Sequence, residues 1–249
     1  MDKEKNLVPV PWYVAFEQVE PYVVKIITPG GTGTGYIVAL TSDKKLIGIA
    51  TAAHVIDFPH YWNQPIRIQH FKSDKTELFD HAERSIEIND TNDTASIVIP
   101  RRDFPIPDTT LPIIPEKQRL KIGVEAAWVG FPAIAPSNLC FFSGTISCWV
   151  EDGGFYFVDG VAINGVSGGP AFSTDNENKV VLIGIVSAYI PNRATGAQLP
   201  GLCVIRDVEP LQTMIKGLKS FEEAKKSEKQ PDSPPPPAPT PASAEPRRS

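Results

Sequence analysis

Apolar positions in this chain fall in short runs rather than long amphipathic stretches: Tyr22 to Thr28, Gly35 to Leu40, Leu46 to Ala50, Ile66 to His70, Ser96 to Ile99, Val124 to Val129, Gly144 to Val150, Phe155 to Val158 and Val180 to Ser187. The runs are rich in Val, Ile, Phe and Tyr, and clusters of Gly, Pro, Asn or Asp separate them, the pattern of strands joined by turns. Many short strands at this spacing predict an all-β sandwich or barrel. Between two of them, Glu151-Asp152-Gly153-Gly154 predicts a hairpin, because Asp-Gly tolerates the positive φ that tight turns demand.

The pattern breaks at Pro100 to Gln118, where prolines at 100, 105, 107, 112 and 115 cannot continue a central strand. That stretch reads as a crossing segment between two β units, residues 12–107 and 108–207. After Asp207 the apolar spacing changes to Val208, Leu211, Ile215 and Leu218, one face of a helix assigned to residues 208–226 with Asp207 available as N-cap. Gly217 costs about 1 kcal/mol relative to Ala in a helix, so fraying is expected beyond it. Residues 227–249, with the run Pro231 to Pro241, have little to bury and predict a disordered tail; a docking peptide for a groove that takes Pro-rich ligands is the other reading.

Composition narrows the function. The 249 residues are 41% hydrophobic and 21% charged, which suits a globular core. A net charge of −5 supplies no basic excess to neutralise a phosphate backbone, so the expected partner is protein or peptide and not nucleic acid. No apolar run approaches the roughly 18 residues a spanning helix needs, so no membrane role is expected. The N-terminal residues carry no signal-peptide pattern, and Cys140, Cys148 and Cys203 are too few and too odd for a disulfide framework; both point to a reducing, cytoplasmic location.

Three strings carry chemistry. Gly165-Val166-Ser167-Gly168-Gly169-Pro170 should arise by chance with a probability of only about a few in ten thousand. Small residues around the serine let the backbone bend sharply and a carbonyl approach, and the Gly165 and Ser167 amides could then hold an oxyanion. The alternative is a Gly-rich turn. In Ala50-Thr51-Ala52-Ala53-His54-Val55, small neighbours leave the imidazole room to act as a general base. Asp93, ahead of the strand-like Thr94 to Ile99, could accept the second imidazole proton; Asp90 competes for that role, and Asp57 reads as a turn cap. His60, His70 and His81 lack ligand-type spacing to any Cys or carboxylate, so no metal or other cofactor is expected.

The order His54, Asp93, Ser167 matches the chymotrypsin arrangement. With Gly33 to Val38, Ser143 to Ser147 and Leu182 to Ser187, these strings resemble the trypsin-like peptidase superfamily, and its HtrA-type bacterial branch more than secreted trypsins. The resemblance implies two six-stranded antiparallel barrels with a catalytic triad of His54, Asp93 and Ser167 in the cleft between them. It implies a serine endopeptidase working through an acyl-enzyme. Val161 would floor the pocket for the residue before the cut, excluding Lys and Arg there, and the strand through Ser187, Ala188 and Tyr189 would pair with substrate, Tyr189 narrowing that pocket. Val166 stands where the family often has the Asp used in zymogen activation, so no N-terminal trimming is expected. No residues remain for a PDZ domain. The rival readings are an esterase on the same triad and a catalytically silent module that holds a peptide in the cleft.

Overall fold

The computed structural model describes residues 11–175, 179–192 and 199–228; the proline-rich stretch from Pro231 lies outside them. The first β unit is one antiparallel sheet of seven strands, β1 (Val23–Thr28), β2 (Gly31–Leu40), β3 (Leu46–Thr51), β4 (Ile66–His70), β5 (Thr76–Phe79), β6 (Ser85–Asn89) and β7 (Thr94–Pro100), in the order β5-β4-β1-β2-β3-β7-β6. Inward positions alternate away from the centre of the sheet, as in Ile66, Ile68 and His70 of β4, whereas Gly33 to Ala39 in central β2 are all buried. A strand covered on both faces needs no alternation.

The expected closed six-stranded barrel is therefore not formed here; the sheet has seven strands and a seam between β5 and β6. A 3₁₀ turn, His81–Glu83, fills that connection with a capping box between Asp80 and Glu83. Arg84 then donates to the carbonyls of Phe79, Pro59 and Gln64, so its guanidinium rather than a strand ladder ties this edge of the sheet to the chain beside it.

The second unit is a closed barrel of β8 (Glu125–Gly130), β9 (Cys140–Val150), β10 (Phe155–Asp159), β11 (Pro170–Thr174), β12 (Val180–Asn192) and β13 (Leu199–Arg206), ordered β10-β13-β12-β11-β8-β9. The turn from Glu151 to Gly154 joins β9 to β10 as expected, with Gly154 at φ +59°. The proline-rich crossing segment forms no ladder strand. It is pinned instead to β12 through Ile114 and Leu182, whose amides donate to Leu182 and Pro112 at 2.9 and 2.8 Å, while Phe104, Ile106, Leu111 and Ile114 are buried.

Three helices complete the described chain. The helix α1 (Trp12–Val19) was not expected, being only eight residues long; Trp12 rests against Phe141 and Phe172 of the second barrel. The helix α2 (Ala53–Tyr61) was missed as well, because Pro59 in its last turn reads as a breaker. The C-terminal helix α3 spans Glu209–Glu228 and continues through Gly217 rather than fraying there. Beyond the glycine, Leu218 is buried and Glu222 accepts a 2.9 Å bond from the Ser42 hydroxyl, contacts that offset the local cost. Asp207 acts one residue earlier than a cap: it accepts from the Val208 amide at 2.7 Å and pairs with Arg119 at 2.8 Å.

Candidate active site

His54 is the second residue of α2, and its position there has a local cause. The first amides of a helix have no intrahelical acceptor, and the N-cap, Ala52, has no side-chain acceptor to offer. Asp93 fills that role from the turn before β7. One carboxylate oxygen accepts the His54 backbone amide at 3.1 Å, and the two oxygens lie 2.9 and 3.0 Å from His54 Nδ1. Both main chain and ring are thus held by one side chain, and a carboxylate at a helix N-terminus is favourably placed. Asp93 itself sits at φ +48°, a left-handed conformation that Asp and Asn adopt more readily than most residues.

The second barrel completes the support. The Ser187 hydroxyl donates to Asp93 Oδ2 at 2.5 Å. Ser187 falls at a bulge in β12, between Val186 paired with Ile205 and Ala188 paired with Val204, which turns its 1% exposed side chain toward the acid. Its hydroxyl is committed to Asp93.

These contacts set the charges. The Asp93 hydrogen bond, reinforced by the Asp93 and Asp57 charges, lifts the His54 pKa above its ordinary value against the effect of partial burial. Burial is the largest single influence on Asp93 and pushes its carboxyl up, yet the hydrogen bonds from His54 and Ser187 and the nearby imidazole together hold it below the usual range. Asp93 therefore stays an acceptor for the Nδ1 proton, and the lone pair of the neutral ring falls on Nε2, on the side away from the carboxylate.

Ser167 is positioned by backbone alone. Gly165 and Gly168 have φ +93° and +85°, and a Cβ on Gly168 would lie 2.1 Å from the Thr34 carbonyl. The Gly168 and Gly169 amides donate to Val186 and Val166, and Val166 donates to Ile163. Among the described residues the Gly165 and Ser167 amides meet no acceptor. Both residues line one cleft with His54, so the histidine of α2 in the first unit and the serine of the second border the same space.

A second residue joining the halves is Thr34, whose importance the sequence did not disclose. Its amide donates to the Ser167 carbonyl at 2.9 Å and its hydroxyl to the Gly165 carbonyl at 2.8 Å, while that hydroxyl accepts from Phe131 and the Thr34 carbonyl accepts from Thr51. Only the Gly33-Thr34-Gly35 string hinted at a close approach there. Asp57, read as a turn cap, lies instead in the middle of α2, one turn after His54. Val161 is 47% exposed and its carbonyl accepts the Trp128 indole N–H at 3.2 Å; Ala188 is exposed on β12, and the side chain of Tyr189 lies outside the described residues. Asp90 accepts the Asp93 amide through its carbonyl and does not compete for His54. No group of three or more His, Cys, Asp or Glu able to hold a metal occurs among the described residues, and none of their helices is long and apolar enough to cross a membrane.

Comparison with solved structures finds this fold in a serine endoprotease from Yersinia pestis, at TM-score 0.62 and 19% identity over 86% of this chain and 69% of that one. It also finds an inactive form of Rv3671c from M. tuberculosis H37Rv at TM-score 0.52 and 19% identity, covering 91% of this chain and 98% of that one. No curated protein matches by sequence. The family model for the trypsin-like peptidase domain matches residues 33–185, more than half of the chain, from β2 beside Thr34 to Ile185 in β12. With that match, the fold and the order of the three strings in agreement, the chain belongs to the trypsin-like peptidase family of serine proteases.

Proposed function

We propose that the protein is a serine endopeptidase in which Ser167 attacks the scissile carbonyl, His54 Nε2 takes the serine proton and returns it to the leaving amine, and Asp93 orients His54 and stabilises the imidazolium. The Gly165 and Ser167 amides hold the tetrahedral oxyanion, a contribution of about 3 to 4 kcal/mol per donor. The carrying observation is the double hold on His54: Asp93 clamps its Nδ1 and its amide, and the ring shares a cleft with Ser167. The two unengaged amides beside Ser167 support the same assignment, since neighbouring amides in that loop already have acceptors.

The edge of β12 after Val186, bonded on one side to β13, receives the acyl half of the substrate by strand addition through Ser187, Ala188 and Tyr189. Val161 brings no charge to the pocket for the residue before the cut, so small or apolar side chains are favoured there. The three unpaired thiols, with Cys203 pushed up to about 12 by burial, fit a reducing compartment. Labelling with a fluorophosphonate tests the reading: reaction of the intact protein but not of Ser167→Ala is expected. Absence of labelling in folded protein would leave the silent peptide-holding module as the better account.

A further inference from the structure

The cleft beside His54 and Ser167 has a volume of about 250 Å³, and its walls come from the turn between β1 and β2, from α2 and from the nucleophile loop, with none of the described residues of β12. If the acyl half of the substrate lies along β12, the departing half leaves on the opposite side of Ser167. It passes His54, which protonates its nitrogen, and enters this cleft. The chemistry of the walls therefore selects the residues on the leaving side of the scissile bond.

Asp57 is the one acidic residue among the described lining residues, which include no Lys or Arg. Three residues after His54 on the same helix, it shares that face of α2, and its charge reaches the imidazole. One carboxylate oxygen accepts the Phe58 amide, but no cation among the described residues pairs with it. Beside it Phe58 lines the same cleft with 47% of its surface exposed, and the ring of Trp62, itself 69% exposed, lies 6.2 Å from that of Phe58. An anion and an exposed aromatic face side by side suit a guanidinium: the stem and planar head can lie on the ring while the charge meets the carboxylate. A neutral side chain leaves Asp57 unpaired, and an acidic one brings like charges together beside the reacting atoms.

We infer that this peptidase selects a basic side chain, Arg ahead of Lys, in the first two positions after the scissile bond, with Asp57 as the specificity-determining residue. This inference rests on the peptidase reading. It places the selectivity for a basic residue on the leaving side of the cut, opposite to the uncharged Val161 side.

The test uses the full chain and a peptide mixture randomised at the two positions after a common acyl segment, with cleavage products identified by mass spectrometry. Intact protein should cut before Arg or Lys about tenfold faster than before Ala, and more slowly still before Glu. In Asp57→Asn the basic-to-neutral ratio should fall toward one, and in Asp57→Lys the preference should turn to Glu; if the Lys variant does not fold, the Asn variant decides. Raised salt should erode the preference of the intact protein. Equal rates before Arg, Ala and Glu, no cleavage by protein that labels at Ser167, or a basic preference unchanged in folded variants would overturn the inference. Failure of Ser167 labelling is a separate result and counts against the peptidase reading, because the phosphonate carries no residue after the cut.

Discussion

The two halves of the site are held in different ways. In the first unit, His54 and Asp93 are fixed by side-chain hydrogen bonds, with Asp93 meeting a ring nitrogen, a helix amide and the Ser187 hydroxyl. On the second barrel, Ser167 is fixed by glycine backbone packed so closely that the Thr34 carbonyl occupies the space a Cβ on Gly168 would need. Damage to the first half should therefore be electrostatic and appear in rate, whereas damage to the second should be steric and appear in folding.

The largest expected effect comes from Asp93→Asn, which keeps the shape but favours the wrong His54 tautomer; kcat should fall about 10⁴-fold in steady-state assays while the melting temperature changes little. Unaltered turnover would mean that the clamp on His54 serves structure only. Gly168→Ala should break the other half. It forces a Cβ against Thr34 and Thr51 at φ +85°, a destabilisation of about 3 kcal/mol or more read by chemical denaturation. Thr34→Val strikes the joint between the halves, leaving the Gly165 carbonyl and the Phe131 amide without their partner at an expected cost of about 2 kcal/mol. Because the serine loop keeps only its backbone bond to the Thr34 amide and loses the side-chain tie, kcat should fall as well. Ser187→Ala removes one of several bonds to Asp93 and should lower kcat by about tenfold or less.

The smallest effects distinguish two histidines of the first unit, His54 in α2 and His70 in β4. His54 is lifted by Asp93, so the protonated form that cannot act as base persists above 6.5, and kcat/KM should rise with pH through a midpoint above that value. Its contribution to stability has the opposite sense: present in full below the unfolded-state value and lost as pH rises through the folded one. His70 is buried, its Nε2 donating to the Pro21 carbonyl and its Nδ1 paired with the Ser73 hydroxyl. Burial lowers its pKa, with the Lys72 charge adding to that and the Pro21 bond opposing it. Its contribution is present above the unfolded value and lost as pH falls through the folded one. Melting temperature should decline below about pH 6, less steeply in His70→Gln. An identical acid limb in that variant would remove His70 from the account.

Local strings carried much of this protein. Positive φ at Gly165 and Gly168 is a property of glycine, so the bend around Ser167 was legible, as was the hairpin at Glu151 to Gly154. Short helices were not. Only Ala15 and Val19 of α1 are fully buried, too few to set up a readable period, and α2 carries a proline, so tertiary packing rather than pattern decides both. Edge strands β5 and β6 were missed because exposed strands at a seam carry little apolar signal.

The sequence by itself determined which residue types could do the chemistry, and in what order, because nucleophile, base and acid each need small neighbours or a turn that shows along the chain. The tertiary structure alone decided how they are coupled. Thr34 and Ser187 each contact a functional residue more than ninety positions away, and Asp57 became a cleft wall rather than a cap once His54 opened a helix. Such couplings depend on which backbone groups face one another across two sheets, and hydrogen-bond complementarity over that separation leaves no periodicity for a single chain to display.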